Sequence, residues 1–371
     1  MTETLAAIFE GHPGQMVLRE LSIPRPRGAE VLVRVLGCTL CGSDVHTFDG
    51  RRSVPVPTVL GHEVVGEIVA FGETAARADL AGQTLQRGDR VTWAIVAHCG
   101  DCPMCHRDLP QKCLHGVKYG HEPLRPEHEL SGGLAAHCLL AAGTSIVRLP
   151  DDLPLAVACP ANCATATVAA AMEAAGELSG RRVCLFGAGM LGLTACAMAR
   201  SLGAEVVVCI DPVAARREQA LRFGATQVSS PEELAPLANS TVGPLGFDVV
   251  LELSGSPSAF HAAWPLLRIG GTLVLVGSVF PGAPIPIALE QVVRRHLTIR
   301  GVHNYAPRHL QTAVNFLAAH HRRVPFAELV TQWLPLSSIA EAFTLSHRPE
   351  SIRIGVTPDT NPQAAPSEGD L

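Results

Sequence analysis

The amino-acid sequence predicts an α/β protein of two domains: a mostly-β, barrel-like domain, then an open, doubly wound parallel sheet. Three observations carry that prediction. The chain has 371 residues, 47% of them hydrophobic, which is enough to bury more than one core. Its first part consists of short Val/Ile/Leu runs cut by Gly and Pro, the pattern of short strands joined by turns. Its middle part alternates apolar strand-length runs with Ala-rich helical ones, which builds parallel strand–helix–strand units.

The β-rich domain is assigned to residues 1–155, with strands at Glu30–Val35, Glu63–Val69, Arg90–Ala94 and Ser145–Arg148, and with a lobe at 95–115. The α/β domain is assigned to 156–300. Its strands are expected at Arg182–Phe186, Glu205–Ile210, Asp248–Leu253, Thr272–Val276 and Leu297–Arg300, and its helices at Met190–Ser201, Ala214–Phe223 and Ala259–Leu267. Residues 301–357, which include an amphipathic helix at His309–His321, are expected to return to the first domain. The tail 358–371 is Pro, Ser, Asp and Ala with almost no large apolar side chain, so disorder is expected there.

The lobe contains Cys99, Cys102, Cys105 and Cys113 in the run Cys-x2-Cys-x2-Cys-x7-Cys. Such spacing lets one loop wrap four thiolates around a tetrahedral zinc. A closed four-sulfur shell leaves no position for substrate, so this zinc is structural and the chemistry lies elsewhere. Cys138, Cys184, Cys196 and Cys209 sit among Val, Leu, Ala and Ile and read as buried thiols acting as small hydrophobes.

A second candidate metal site is the segment Cys41-Gly42-Ser43-Asp44-Val45-His46 with Gly61-His62-Glu63. A thiolate and an imidazole about twenty residues apart can share a zinc, and Ser43 sets a hydroxyl beside them. A third candidate is Gly187-Ala188-Gly189-Met190-Leu191-Gly192, between a strand and a helix. Gly187 turns the chain tightly, Gly189 admits a pyrophosphate, and Gly192 lets helix pack on sheet, with Met190 and Leu191 opening the helix whose N-terminus faces the phosphates. Asp211, at the end of the next strand, is placed to bind a ribose diol and to repel a 2′-phosphate, so NAD is favoured over NADP. Arg216 is read as lying against the adenosine, Arg217 as that or a solvated charge; guanidinium groups there would also accept NADP.

Net charge is −5 with no basic block, so neither a nucleic-acid face nor an anionic-membrane face is indicated. The start Met1-Thr2-Glu3-Thr4 lacks signal-peptide regions, and a cytoplasmic location is expected.

Taken together, the three signatures resemble the zinc-dependent medium-chain alcohol dehydrogenase family, from about Leu5 to Val356. The resemblance implies a GroES-like catalytic domain and a Rossmann domain. It also implies two zinc ions per subunit, a small-molecule alcohol or carbonyl substrate, and a homodimer or homotetramer joined through the edge of the nucleotide sheet. It gives Cys41 and His62 as catalytic-zinc ligands. In Pro160-Ala161-Asn162-Cys163-Ala164-Thr165-Ala166-Thr167-Val168 it gives Cys163 as the third, with Cys159 as competitor and Thr167 beside the nicotinamide. It implies that Ser43 takes the alcohol proton, His46 ends the relay to solvent, Asp44 orients His62, and Glu63 lies beside the metal. Val276 and Gly277 are expected to meet the nicotinamide through backbone, and Phe48 and Ile95 to wall the substrate pocket or belong to the core.

Four segments, Thr39–Asp44, Arg51–Pro55, Lys118–Glu122 and Pro160–Cys163, are similar to a bacterial subgroup of alcohol dehydrogenases associated with phosphonate catabolism. In that reading Arg51, Arg52 and His121 either meet an anionic part of a hydroxyalkylphosphonate or belong to a solvated loop. Rival readings are a polyol or amino-alcohol dehydrogenase of the same family, a zinc-free quinone or enoyl reductase, and a non-catalytic nucleotide-binding protein. Retention of Cys41, His62, Cys163 and Ser43 weighs against the last two.

Overall fold

The computed structural model describes residues 3–125, 129–234 and 245–359. They form two compact units: Met1–Cys163 with Ala306–His321 and Phe326–Leu371, and Ala164–Tyr305 with Arg322–Pro325. No single described helix is long and apolar enough to cross a membrane.

The first unit is built on the strand Val31–Thr39. It pairs antiparallel with Glu63–Phe71, with His137–Leu140 and with Arg353–Thr357, the last of which pairs parallel with Val330–Pro335. The Val- and Leu-rich central strand is buried along most of its length, and its neighbours close a core around Val33, Ile68, Trp93, Leu140 and Phe343. A hairpin, Glu3–Phe9 with Val17–Ser22, begins a separate three-stranded sheet.

The first boundary differs from the expected 156. The segment Leu155–Ala158 and Cys159–Asn162 stays with the first unit because its polar groups are consumed there. Asn162 Oδ1 accepts from Val64 N at 3.2 Å, Asn162 Nδ2 donates to Trp93 O at 2.9 Å, and Cys159 Sγ donates to Gly37 O at 3.3 Å. The return begins at Ala306 rather than 301, since Thr298–Gly301 is still a strand of the second sheet. Of the tail, Pro358 and Asp359 are described, and Asp359 accepts from Ser337 N and Oγ at 2.9 and 2.6 Å; residues 360–371 lie outside the described residues.

The second unit holds a six-stranded, all-parallel sheet in the order Gln227–Ser229, Val206–Ile210, Arg182–Phe186, Phe247–Glu252, Leu267–Leu275, Thr298–Gly301. The strand order reverses beside Arg182–Phe186, so the glycine turn that follows it opens at the switch point where such sheets bind ligands. Two elements differ from the sequence reading. The helix expected at Ala259–Leu267 ends at Ala263, because Pro265 cannot continue its hydrogen bonding; a short 3-10 turn follows and Leu267 already opens a strand. The helix Ala164–Ala175, mostly buried alanine with no polar face to give it a period, was not read as a helix.

Candidate active site

Cys41 ends the run of chain after the central strand and starts the helix Gly42–Phe48. Asp44, in that helix's first turn, binds back: its Oδ2 accepts from Cys41 N at 2.9 Å and its Oδ1 from Gly61 N at 3.2 Å. The same Oδ1 lies 3.2 Å from His62 Nδ1, close enough for charge pairing though out of line for a hydrogen bond. One carboxylate thereby holds two chain segments and leaves His62 Nε2 pointing at Ser43 Oγ, 3.3 Å away. Gly61 makes this turn with φ +88°, and a Cβ there would stand 2.8 Å from Cys38 Sγ.

Cys41, His62 and Cys163 converge, with one donor atom from each lying within 4.8 Å of the others. The two sulfurs are 4.0 Å apart. A tetrahedral zinc with bonds of about 2.3 Å sets its sulfurs about 3.8 Å apart, so the spacing fits that ion. Cys159 is fully buried and turned to Gly37 O, and is not among these donors.

The electrostatics point the same way. Cys41 is drawn well below its ordinary range by the Cys163 thiol, which donates to it, and further by Arg353 and His62, against the opposing effect of burial. Burial alone pulls the His62 pKa down, but Asp44 and the Cys41 sulfur outweigh it and carry it up to about 10. A site that gathers this much negative charge favours a cation, and metal binding displaces the protons.

Behind the cluster is an ion pair that the sequence reading missed. Arg353 Nε and Nη2 donate to Glu63 Oε2 and Oε1 at 2.8 and 3.0 Å, Thr39 Oγ1 donates to Glu63 Oε2 at 2.6 Å, and Arg353 Nη2 reaches Cys41 Sγ at 3.8 Å. Glu63 is wholly buried; burial raises its pKa, with Arg353 opposing. The available signal was a lone cation within Ile352-Arg353-Ile354, an apolar strand pattern that would otherwise bury an unpaired charge. Its partner, 290 residues away, was not readable.

Ser43 and His46 stand three residues apart on one helix, so both lie on one face. His46 lines a cavity of about 180 Å³ with Leu40, Val45, Ser346 and Arg353. Burial and then Arg51 lower its pKa, which keeps the ring able to accept a proton. Phe48 belongs to the core rather than to a pocket wall: it stacks on Phe343 with ring centroids 4.1 Å apart. Ile95 is likewise buried, its carbonyl accepting from Tyr119 N at 3.0 Å.

The second cluster is Cys99, Cys102, Cys105 and Cys113, whose sulfurs all lie within 4.8 Å of one another; Cys102 is 3.6 Å from Cys105 and 3.9 Å from Cys113, and Cys113 is 3.4 Å from Cys99. Backbone N–H groups of Cys99, Asp101 and Leu114 donate to sulfurs of the set at 3.3, 3.5 and 3.5 Å. Led by the Leu114 N–H, such contacts draw Cys102 down to about 6, toward the thiolate that zinc requires.

In the second unit Gly187 has φ +102°, and a Cβ on Gly192 would stand 1.7 Å from Gly187 O; Gly189 has no atom within 4 Å of its own Cβ position. Turn and packing need the outer glycines, while the middle one leaves a free approach to backbone. Met190 and Leu191 begin the helix Met190–Ser201. Asp211 is buried at the end of Val206–Ile210, accepting from Ala188 N at 2.7 Å and Val213 N at 2.8 Å, so it is anchored beside the glycine turn. Arg217 donates to the carbonyls of Asp211 and Pro212 at 2.7 and 3.0 Å, and Arg216 is half-buried on the same helix. Thr167 is half-buried in the helix Ala164–Ala175. Val276 and Gly277 both donate N–H to Glu252 O, at 2.9 and 3.0 Å, and Gly277 O accepts from Val279 N.

A domain with two thiol-rich clusters of zinc geometry and a dinucleotide-type sheet define a zinc-dependent dehydrogenase. Comparison with known proteins agrees: the alcohol dehydrogenase GroES-like domain matches residues 27–151 and the zinc-binding dehydrogenase domain matches 191–319. The chain is 30% identical to a geraniol dehydrogenase from Castellaniella defragrans, over 94% of this chain and 96% of that one. It is 28% identical to a D-arabitol-phosphate dehydrogenase from Enterococcus avium, over 98% and 99% of the two chains. Its fold superposes on an alcohol dehydrogenase from Thermotoga maritima with a TM-score of 0.90 at 29% identity, covering 97% of this chain and all of the other. The chain belongs to the zinc-dependent medium-chain alcohol dehydrogenase family, whose members are oxidoreductases that use zinc and NAD(P).

Proposed function

We propose that this enzyme reversibly oxidises a primary or secondary alcohol to the aldehyde or ketone, with hydride passing to NAD. Cys41, His62 Nε2 and Cys163 would hold a catalytic zinc, and Cys99, Cys102, Cys105 and Cys113 a structural one. The observation that carries this reading is the convergence of two thiols and one imidazole within 4.8 Å, with the Ser43 hydroxyl beside them. Zinc held by these three ligands would supply a Lewis acid that lowers the pKa of the alcohol.

The rest falls to the chain's own groups. Ser43 Oγ, beside the metal ligand, would take the alcohol proton while giving up its own, and His46, one turn on and with its pKa lowered by burial and then Arg51, would pass that proton to solvent. Asp44 keeps His62 in place, while the Arg353–Glu63 pair steadies the Cys41 sulfur. In the second unit the Gly187–Gly192 turn would seat the pyrophosphate and Asp211 the adenosine ribose, with Arg216 alongside the adenosine; Thr167, Val276 and Gly277 would border the nicotinamide.

Asp211→Ser is expected to raise the KM for NAD by about 10- to 100-fold, the cost of losing a charged hydrogen-bond acceptor, and to narrow the preference over NADP. Steady-state constants with each cofactor check it, and an unchanged NAD/NADP ratio would remove Asp211 from the site. A polyol substrate is the second reading, supported by the relative named for D-arabitol phosphate. Exposed Ile269, Leu289 and Val293 near the edge strand Thr298–Gly301 support a homodimer or homotetramer joined there.

The test is metal analysis together with NADH absorbance on a panel of simple alcohols, polyols and hydroxyalkylphosphonates, each with NAD and NADP. Two zinc ions per chain and alcohol-dependent NADH are expected. A single zinc contradicts the two-site assignment, and absence of turnover on the whole panel favours a nucleotide-binding protein.

A further inference from the structure

Glu252 is a buried carboxylate to which the proposed reaction gives no role. It closes the strand Phe247–Glu252, level with Phe186 on one side and Leu275 on the other, at the edge of the sheet where the glycine turn opens. Its side chain is wholly buried, whereas Ser254 and Ser278, on the connections that follow this strand and the next, are exposed. An acid in that position needs a reason, since a carboxylate is seldom buried without strong partners.

Its partners are neutral groups of those two connections. Oε1 accepts from Ser254 N at 2.7 Å, Ser254 Oγ at 2.6 Å and Gly255 N at 2.8 Å, and Oε2 accepts from Ser278 Oγ at 3.3 Å. The Glu252 carbonyl takes Val276 N and Gly277 N as well, at 2.9 and 3.0 Å. The connections touch backbone to backbone. A Cβ on Gly277 would stand 2.3 Å from Gly255 N, and one on Gly255, whose φ is +74°, 2.7 Å from Gly277 O.

The first connection also leans on the glycine turn. Leu253 N donates to Phe186 O at 2.9 Å, and a Cβ on Gly187 would stand 3.2 Å from Ser254 N. Asp211 holds that turn from the other neighbouring strand, accepting from Ala188 N at 2.7 Å. Two acids at the ends of the strands flanking Arg182–Phe186 thus fix the loops at the switch point, Asp211 the turn itself and Glu252 the two walls next to it. Without the Glu252 carboxylate several donors lose their acceptor and the walls can separate, and ordering them again would then oppose cofactor binding.

We propose that Glu252 is a positioning residue for the dinucleotide: its side chain holds Ser254–Gly255 against the pyrophosphate turn and Gly277–Ser278 along the nicotinamide, so that both halves of the cofactor meet a preformed groove. The proposal rests on the cofactor placement given under the proposed function and adds the group that ties its two ends together. The carboxylate acts through the two connections and takes no part in hydride or proton transfer.

The experiment is calorimetric titration of the zinc-loaded wild type, E252Q, E252A and S278A with NADH and with ADP-ribose, which lacks the nicotinamide. E252Q keeps an acceptor at Oε1 and can donate to Ser278 Oγ, so it is expected to retain most of both affinities. E252A is expected to weaken both ligands by about 10- to 100-fold. S278A loses only the bond to Oε2 and should weaken NADH by about 3- to 10-fold, with ADP-ribose binding and melting temperature unchanged. A general loss of stability would not produce that split, and S278A against wild type decides the matter where E252A does not fold. Unchanged NADH binding in E252A or S278A, an equal loss of ADP-ribose in S278A, or an E252Q protein as weak as E252A would overturn the assignment and leave alcohol oxidation standing. A wild type that binds both ligands but oxidises no alcohol would remove the alcohol-oxidation reading and keep the role of Glu252 as the variants report it. A wild type that binds neither would remove the cofactor placement and the role of Glu252 with it.

Discussion

Cys163→Ala is expected to lose the catalytic zinc, retain the structural one, and lower kcat/KM for alcohol oxidation by about 10³-fold or more. Among the described residues Cys163 is one of three donors at that centre, and its thiol also sustains the Cys41 thiolate through a 4.0 Å contact. Lewis-acid stabilisation is worth several kcal/mol, and each 1.36 kcal/mol is tenfold in rate, which sets the scale of the loss. The four-sulfur lobe shares no ligand with this centre, so metal analysis should fall from two zinc ions to one rather than to none. Cys159→Ala is the control, because that sulfur is turned to Gly37 O; it should keep both ions and its rate. A Cys163→Ala protein with two zinc ions and undiminished turnover, or a Cys159→Ala protein with one, would show that the third ligand is wrongly assigned.

Arg353→Met is expected to destabilise the first unit strongly. It leaves Glu63 fully buried with, among the described residues, Thr39 as its remaining side-chain donor and no cation. Breaking a buried pair by removing one partner costs about 3–5 kcal/mol, because the abandoned charge still has to be desolvated. At about 2–4 °C per kcal/mol for a domain of roughly 150–250 residues, the melting transition of this unit should fall by about 6–20 °C. The same change removes a charge that favours the Cys41 thiolate, so zinc should dissociate more readily in a chelator titration. Adding Glu63→Gln should recover part of the lost stability, since a neutral amide is less costly to bury than an unpaired carboxylate. If the double variant melts no higher than Arg353→Met alone, the loss comes from packing rather than from the stranded charge.

Local spacing made much of the site legible. The four lobe cysteines span a single loop, so their spacing along the chain nearly fixes their spacing in the fold. The same holds for Gly187, Gly189 and Gly192, whose duties are steric demands of one turn. Asp211 could be placed because one helix and one strand separate it from that turn, and parallel pairing brings the ends of neighbouring strands level. Phe48 was less readable, since an aromatic residue beside a metal ligand suits a pocket wall and a core equally; stacking on Phe343, far along the chain, decides it. The boundary at 163/164 escaped notice for a similar reason: only the bonds of Asn162 to Val64 and Trp93 reveal which unit the segment joins.

The order and spacing of Cys41, His62, the lobe cysteines and the glycine turn were determined by the sequence alone, because turns, caps and metal loops are set by residues within a few positions of each other. The register of Arg353–Thr357 against Val31–Thr39 was decided only by the tertiary structure. That pairing delivers Arg353 to Glu63 and Cys41. Charges buried in a low-dielectric interior take their meaning from whichever partner packing brings within a few ångströms, and that distance is a property of the folded chain.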